Sequence, residues 1–195
     1  EPMWEQLKRV IKPNGAIVMT ASQPFTTTLI ASNMKMFKYC WVWEKSRASN
    51  PMLAKKQAMR YHEDVCVFYK KQCFYNPEMW FGEKSHATKS GKGKINIHGG
   101  TEWVFDANVG SLKYPKSVIK IKSTNNVKNV HPTQKPVSLM EYLIKTYTNE
   151  GETVLDFTMG SGSTGVAAKN LNRKFIGVEL DETYFNIAKE RIENA

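Results

Sequence analysis

One segment near the C-terminal end decides the fold class of this 195-residue chain. A short apolar run, Thr153-Val154-Leu155-Asp156-Phe157, opens into Thr158-Met159-Gly160-Ser161-Gly162-Ser163-Thr164-Gly165. A helix pattern over Thr164 to Leu171 follows, then a second run, Lys174-Phe175-Ile176-Gly177-Val178-Glu179, then a helix from Asp181 to Ile192. Two strands joined by a helix lie parallel, with the helix packed on their face. This β-α-β-α unit commits the chain to the α/β class, with a doubly wound, Rossmann-like sheet.

The turn inside the unit carries chemistry. Gly160, Gly162 and Gly165 satisfy G-x-G-x-x-G, and Glu179 ends the strand that follows the helix. The glycines permit a tight turn and close backbone approach, and the helix N-terminus offers free N–H groups. A carboxylate at the end of the second strand can accept both hydroxyls of a ribose. These features together point to a cofactor containing adenosine. The fingerprint alone fits a dinucleotide or S-adenosylmethionine, but only the short stretch from Val166 to Ala195 follows it. A nicotinamide dehydrogenase normally places this unit early, with more strands and a catalytic domain behind it. In this chain, catalytic machinery has to precede the cofactor loop.

The first part reads as helix, turn and buried strand. Trp4, Leu7, Val10 and Ile11 have helical spacing, Lys12-Pro13-Asn14-Gly15 turns the chain, and Ala16 to Thr20 is apolar. Pro24 to Asn33 suits a second helix, while Lys38 to Lys45 and Asp64 to Tyr69 are aromatic and β-branched strands. Mostly apolar runs predict a sheet buried on both faces, as in doubly wound α/β proteins, rather than a half-wet antiparallel one. The chain opens on Glu1 inside a helix pattern, from which the native protein is expected to begin further upstream.

Residues 71 to 130 break this rhythm with clustered glycines and lysines and read as an irregular insertion, closed by an edge strand over Tyr114 to Lys122. Val137 to Tyr147 is an amphipathic helix. The expected organisation is therefore a catalytic half over 1–70, a basic insertion over 71–130 and a cofactor half over 131–195.

Charge separates these parts. The net +10 lies entirely within positions 1–130, +6 in each of 1–70 and 71–130, against −2 in the remainder. Lys45, Arg47, Lys55, Lys56 and Arg60 crowd one loop, and Lys84, Lys89, Lys92 and Lys94 crowd the insertion. Such clusters lower the cost of approaching phosphates and point to a nucleic acid partner. No apolar run is long enough to span a bilayer and no signal peptide is readable, so neither a membrane partner nor export is expected. Cys40, Cys66 and Cys73 lack C-x-x-C spacing and read as buried thiols in a reducing compartment. His62, His86, His98 and His131 lack ligand spacing, and no metal is expected.

Upstream of the helix at Val137 lies His131-Pro132-Thr133-Gln134-Lys135-Pro136. That hexapeptide, Asp156 to Gly165, and Phe175 to Glu179 with Tyr184, Ala188, Arg191 and Ile192 together resemble the DNA amino-methyltransferases that use S-adenosylmethionine. The resemblance is to their circularly permuted β group, in which catalytic half, recognition insertion and cofactor half occur in this order. Lys12-Pro13-Asn14-Gly15 and Trp41-Val42-Trp43-Glu44-Lys45 are similar to strand motifs of phage and prophage members. Two departures stand out. Phe157 and Thr158 replace the Pro-Phe often found in the family's cofactor loop, and the catalytic Asp/Asn/Ser-Pro-Pro-aromatic tetrapeptide occurs nowhere in the sequence. It is expected upstream of Glu1, so no catalytic residue is assigned.

The resemblance implies methyl transfer from S-adenosylmethionine to N6 of adenine in a base flipped out of double-stranded DNA. N4 of cytosine is the alternative within the group, and a non-catalytic cofactor- and DNA-binding module is the alternative outside it. Cofactor contacts are expected from Asp156, Phe157, Gly160, Gly162, Thr164 and Glu179. Thr133 and Lys135 are expected to bound the methionine end. Asp156 could hold the cofactor's amino group or stabilise its own loop. A cytoplasmic enzyme, bacterial or phage-encoded, is expected, and a homodimer is compatible with this reading.

Overall fold

A computed structural model describes residues 2–82, 91–95, 101–105, 112–124 and 130–195. The chain divides into two compact units, Pro77–Pro115 and the remainder.

The larger unit begins with α1 (Pro2–Val10), β1 (Ile17–Ala21), α2 (Phe25–Ser32), β2 (Phe37–Glu44) and β3 (His62–Phe68). With β8 (Val118–Lys120) these strands form a four-stranded sheet in the order β1-β3-β2-β8. The pairing is mixed. β3 runs antiparallel to both β1 and β2, and β8 lies parallel to β2 at the edge. The sheet is nonetheless buried on both faces. Val65 and Val67 point to one side, into a core with Trp41, Trp43, Ile119, Leu139, Leu143 and Tyr147. Cys66 and Phe68 point to the other, against Trp4, Leu7, Leu29 and Met36. Helices cover both sides, so apolar runs here signal two-sided burial and carry no information on strand direction.

α3 (Val137–Tyr147) covers the first face. It begins directly after Pro136, whose extended backbone cannot continue a helix backwards. Leu139, Leu143 and Tyr147 recur every four residues and make one stripe. Ile144 points elsewhere, towards Ala167 and Ala168 of α4 (Ser163–Asn170). α3 thereby joins the antiparallel sheet to the C-terminal unit of β9 (Thr153–Asp156), α4, β10 (Lys174–Gly177) and α5 (Glu182–Glu193).

β9 and β10 pair in parallel, as the crossover helix requires, but form a separate two-stranded sheet. Val154 and Phe175 pack towards α4, whereas Leu155 and Ile176 on the opposite face are exposed. Among the described residues β9 and β1 each pair on one edge only.

The smaller unit, Pro77–Pro115, lies inside the 71–130 stretch. Two short antiparallel ladders run through it, β4 (Trp80–Phe81) with β7 (Leu112–Lys113) and β5 (Gly91–Ile95) with β6 (Thr101–Phe105). The Trp80 indole N–H donates to the Tyr114 carbonyl at 2.9 Å. Cys73 and Ile119, near the two ends of the 71–130 stretch, are buried in the core of the larger unit.

Candidate functional site

The loop between β9 and α4 is held from three directions. Met159 N–H donates to the Val178 carbonyl at 3.0 Å, and Val178 N–H donates to the Asp156 carbonyl at 2.9 Å. The loop therefore stays on the end of β10. Gly160 and Gly162 have φ of +51° and +78°, a region in which a side chain is strained. At Gly162 a Cβ would also meet the Ala188 Cβ at 2.9 Å, so the glycine lets α4 start hard against α5.

Glu179 closes the loop. One carboxylate oxygen accepts the Gly160 N–H at 2.8 Å, and the other accepts the N–H groups of Leu180 and Asp181 at 2.9 and 3.0 Å. The Asp181 and other backbone donors hold the Glu179 carboxyl below the usual carboxylate range. An ionised acceptor thus stands at the strand end, where the sequence places a ribose ligand. Asp156 is committed locally, accepting the Thr164 hydroxyl at 2.6 Å and the Thr158 N–H at 3.1 Å. Of its two expected roles, loop stabilisation is the one these contacts supply. Phe157 is 37% exposed beside it.

The turn before α3 packs against this loop. His131 Nδ1 receives the Thr133 N–H at 3.2 Å, which leaves Nε2 as the ring's proton-bearing nitrogen in the neutral form. The ring packs edge-on against Tyr184, with centroids 4.3 Å apart. A Cβ on Gly160 would lie 3.4 Å from His131 Nε2. Gln134 Oε1 accepts both the Val130 N–H and the Ser161 hydroxyl, each at 3.2 Å, and Arg191 donates to the Ser161 carbonyl. His131 and Gln134 therefore touch the glycine loop, whereas Thr133 touches His131.

Lys135 turns away from the loop. Its Nζ donates to Glu63 Oε2 at 2.8 Å, and Lys45 Nζ donates to Glu63 Oε1 at 3.1 Å. Lys45 also donates to the Ser49 hydroxyl, and the Lys45 and Lys135 ammonium groups lie 6.0 and 5.9 Å from the Trp43 ring centroid. Burial pushes the Glu63 carboxyl up, but Lys135 and Lys45 together hold it below the usual range. Lys45, 8% exposed, is a buried structural cation rather than one presented to phosphates.

The other loop cations are placed differently. Arg47, Lys55 and Lys56 are exposed and Arg60 is half-buried. Lys92 and Lys94 lie on β5, while Lys84 and Lys89 lie outside the described residues. Gln134, His131 and Glu63 were not singled out as ligands or anchors by sequence. Their partners Ser161, Gly160 and Lys135 are remote in the chain, a separation no local pattern encodes. Among the described residues no cluster of His, Cys, Asp and Glu could hold a metal ion, and no helix is long and apolar enough to cross a membrane.

Comparison with known proteins adds to this geometry. Residues 1–190 match the model of the N6/N4 DNA methylase family. Type II methyltransferase M.HindIII of Haemophilus influenzae is 29% identical over 212 residues, covering 94% of this chain and 65% of that protein. Type II methyltransferase M2.DpnII of Streptococcus pneumoniae is 51% identical over 63 residues, 32% of this chain and 24% of its own length. The crystal structure of an M1.HpyAVI–SAM complex superimposes with a TM-score of 0.66 at 27% identity, covering 97% of this chain and 80% of that one. The chain thus spans 65% or less of the length of these two curated relatives.

Proposed function

The chain belongs to the N6/N4 DNA methylase family, and on that basis we propose that it works as a site-specific DNA methyltransferase taking its methyl group from S-adenosylmethionine. The acceptor in this reading is N6 of adenine in double-stranded DNA, and the setting is the cytoplasm of a bacterium or of a phage-infected cell. The observation that carries the reading is the positive-φ Gly160–Gly162 turn tied to the ionised Glu179 at the strand end and braced by His131 and Gln134.

The residues present fit the cofactor. The glycines bring the loop backbone hard against His131 and α5, and Glu179 at the strand end has acceptor capacity beyond its three N–H partners for a ribose hydroxyl. Asp156 keeps lone pairs beside Thr164 for an ammonium group. Phe157, partly exposed at the rim, supplies an apolar surface for a flat ring. S-adenosylmethionine, when bound, supplies a methyl group on a sulfonium centre that an amine can attack in line.

What the chain itself contributes is placement. Glu179 fixes both Gly160 and the start of α5, so a ribose held there is held relative to the whole loop. Lys135, through Glu63, anchors the turn that carries His131 and Gln134 to the large sheet. Positioning of this kind is worth roughly 7–11 kcal/mol of a two-substrate barrier in favourable cases. An exocyclic amine is a weak nucleophile buried in the duplex, and it must be flipped out and oriented. Pro-Pro occurs nowhere in the sequence, so no residue of this chain is assigned that orienting role.

The proposed domain roles follow: a catalytic half over 1–70, DNA recognition within 71–130 and a cofactor half over 131–195. Arg47, Lys55, Lys56 and Arg60, with Lys84, Lys89, Lys92 and Lys94, are the proposed phosphate contacts.

Incubation with methyl-labelled S-adenosylmethionine and unmethylated DNA of mixed sequence, followed by digestion to nucleosides, tests the reading. Label in N6-methyladenine is the expected result. Label in N4-methylcytosine would replace the acceptor, and failure to bind S-adenosylhomocysteine by calorimetry would remove the cofactor assignment.

A further inference from the structure

Between β2 and β3 the chain leaves the sheet as a hydrogen-bonded arm. Lys45 N–H donates to the Tyr61 carbonyl at 2.7 Å and Ser49 N–H to the Arg60 carbonyl at 3.0 Å, extending the strand pair into a neck. Asn50 locks that neck, accepting the Arg60 N–H at 2.6 Å on its side chain. Beyond it, a single 3-10 turn over Pro51–Leu53 is capped by the Lys56 and Gln57 N–H groups, which donate to the Leu53 carbonyl at 2.8 and 3.0 Å. The tip is therefore shaped by its own backbone.

Its surface is unusual. Every residue from Pro51 to Met59 is exposed, with Met52 at 94% and Leu53 and Met59 at 41% and 43%. A tip kept soluble for its own sake would be polar; this one ends in thioether and isobutyl groups. Between Glu44 and Glu63 there is no acidic residue. With Lys45 taken by Glu63, Arg47 and Arg60 at the neck and the exposed Lys55 and Lys56 beyond it flank the apolar tip along the chain with positive charge. A partner that complements this must be anionic outside and apolar within reach. Duplex nucleic acid has that layering, with phosphates outside and the base stack inside.

We propose that this arm is a wedge, in which Met52 and Leu53 enter the base stack of duplex DNA while the arm's cations hold the flanking phosphates. The inference rests on the proposed reading of the chain as a DNA methyltransferase. Opening the stack is the step that extraction of a target base requires. The arm's root is tied to the cofactor loop, since Glu63 bridges Lys45 at the neck to Lys135, and the adjoining Gln134 contacts Ser161. A wedge so anchored opens the duplex at a fixed offset from Gly160 and Glu179.

The test compares fluorescence anisotropy on a short labelled duplex of mixed sequence with the same duplex carrying one abasic site. A gap removes the unstacking cost, so the wild-type chain should bind the abasic duplex about tenfold more tightly, equivalent to about 1.4 kcal/mol. The double variant Met52→Ser, Leu53→Ser alters only exposed side chains and should lose that preference with an unchanged thermal midpoint. Peroxide footprinting of the wild-type chain should show Met52 oxidised freely alone and protected by the duplex. Equal affinity for the two duplexes, or a preference that survives in the serine variant, overturns the wedge and leaves DNA binding standing. A wild-type chain that binds neither duplex overturns the wedge and the DNA reading together. Serine variants that lose binding to phosphatidylglycerol vesicles, with duplex affinities unchanged, assign the arm to a membrane surface and overturn the proposal.

Discussion

Glu63 holds two ammonium groups on one carboxylate, and its worth depends on what remains when it is removed. Glu63→Gln leaves Lys45, 8% exposed, without its counter-charge, and breaking a buried pair in this one-sided way costs about 3–5 kcal/mol. Urea denaturation at neutral pH should show a loss near the lower end of that range, since the Ser49 hydroxyl and the Trp43 ring remain. The same pair gives a pH dependence. A carboxyl held below its ordinary 4.5 contributes stability that is present above that value and is lost as pH falls through the depressed one. The wild type should therefore lose stability more steeply below pH 4.5 than Glu63→Gln does. Gly162→Ala tests the loop: it forces a side chain into φ +78° and against Ala188, so a cost of about 1–3 kcal/mol is expected, with S-adenosylhomocysteine affinity falling as well. Gly162 and Glu179 stand out in the sequence as candidates because their spacing is local to one β-α-β unit. The pairing of Lys45 was not legible, because it sits among exposed cations in the chain but is claimed by a glutamate on the neighbouring strand.

Elements were legible where burial is periodic. α3 matches its expected span from Val137 to Tyr147, because Leu139, Leu143 and Tyr147 mark one face and Pro136 fixes the start. Strand partners were not legible. β1, β2 and β3 are apolar on both faces whichever way they run, so the antiparallel order had no signature in composition. The ladders of 77–115 escaped notice because strands of two and five residues between glycines leave too few alternations to read. How α3 grips the sheet was equally hidden. The Tyr147 hydroxyl accepts the buried Trp41 indole N–H at 2.7 Å and lies 2.6 Å from the Tyr39 hydroxyl. Tyr147→Phe would leave that indole donor buried without an acceptor, and a loss of about 1–3 kcal/mol in unfolding free energy is expected from urea denaturation. Thr148 and the β9 unit follow α3 directly, so the substitution should also loosen hydrogen-exchange protection in β9 while leaving β1 protected.

Across the full chain the charge distribution makes the most exposed claim. Positions 1–130 carry all of the net +10, and a chain that neutralises phosphates must release their counterions on binding. Log affinity for duplex DNA should thus fall linearly with log salt, by about 0.9 per phosphate contact. The structure sharpens which cations set that slope. Lys55 and Lys56 are exposed on the arm, and replacing both with Gln should flatten the slope by about 2, with S-adenosylhomocysteine affinity unchanged. Lys45 lies in the same stretch of sequence and carries the same formal charge, but its ammonium faces Glu63, Ser49 and Trp43. Lys45→Met should therefore destabilise the fold yet leave the salt slope where it was. Composition assigns the two kinds of lysine the same role, so a Lys45→Met slope that flattened as much as the Lys55, Lys56 pair predicts per residue would mean that the Glu63 pairing opens on DNA. A slope that stayed fixed, beside a lowered unfolding free energy, would separate the charge that binds DNA from the charge that builds the sheet.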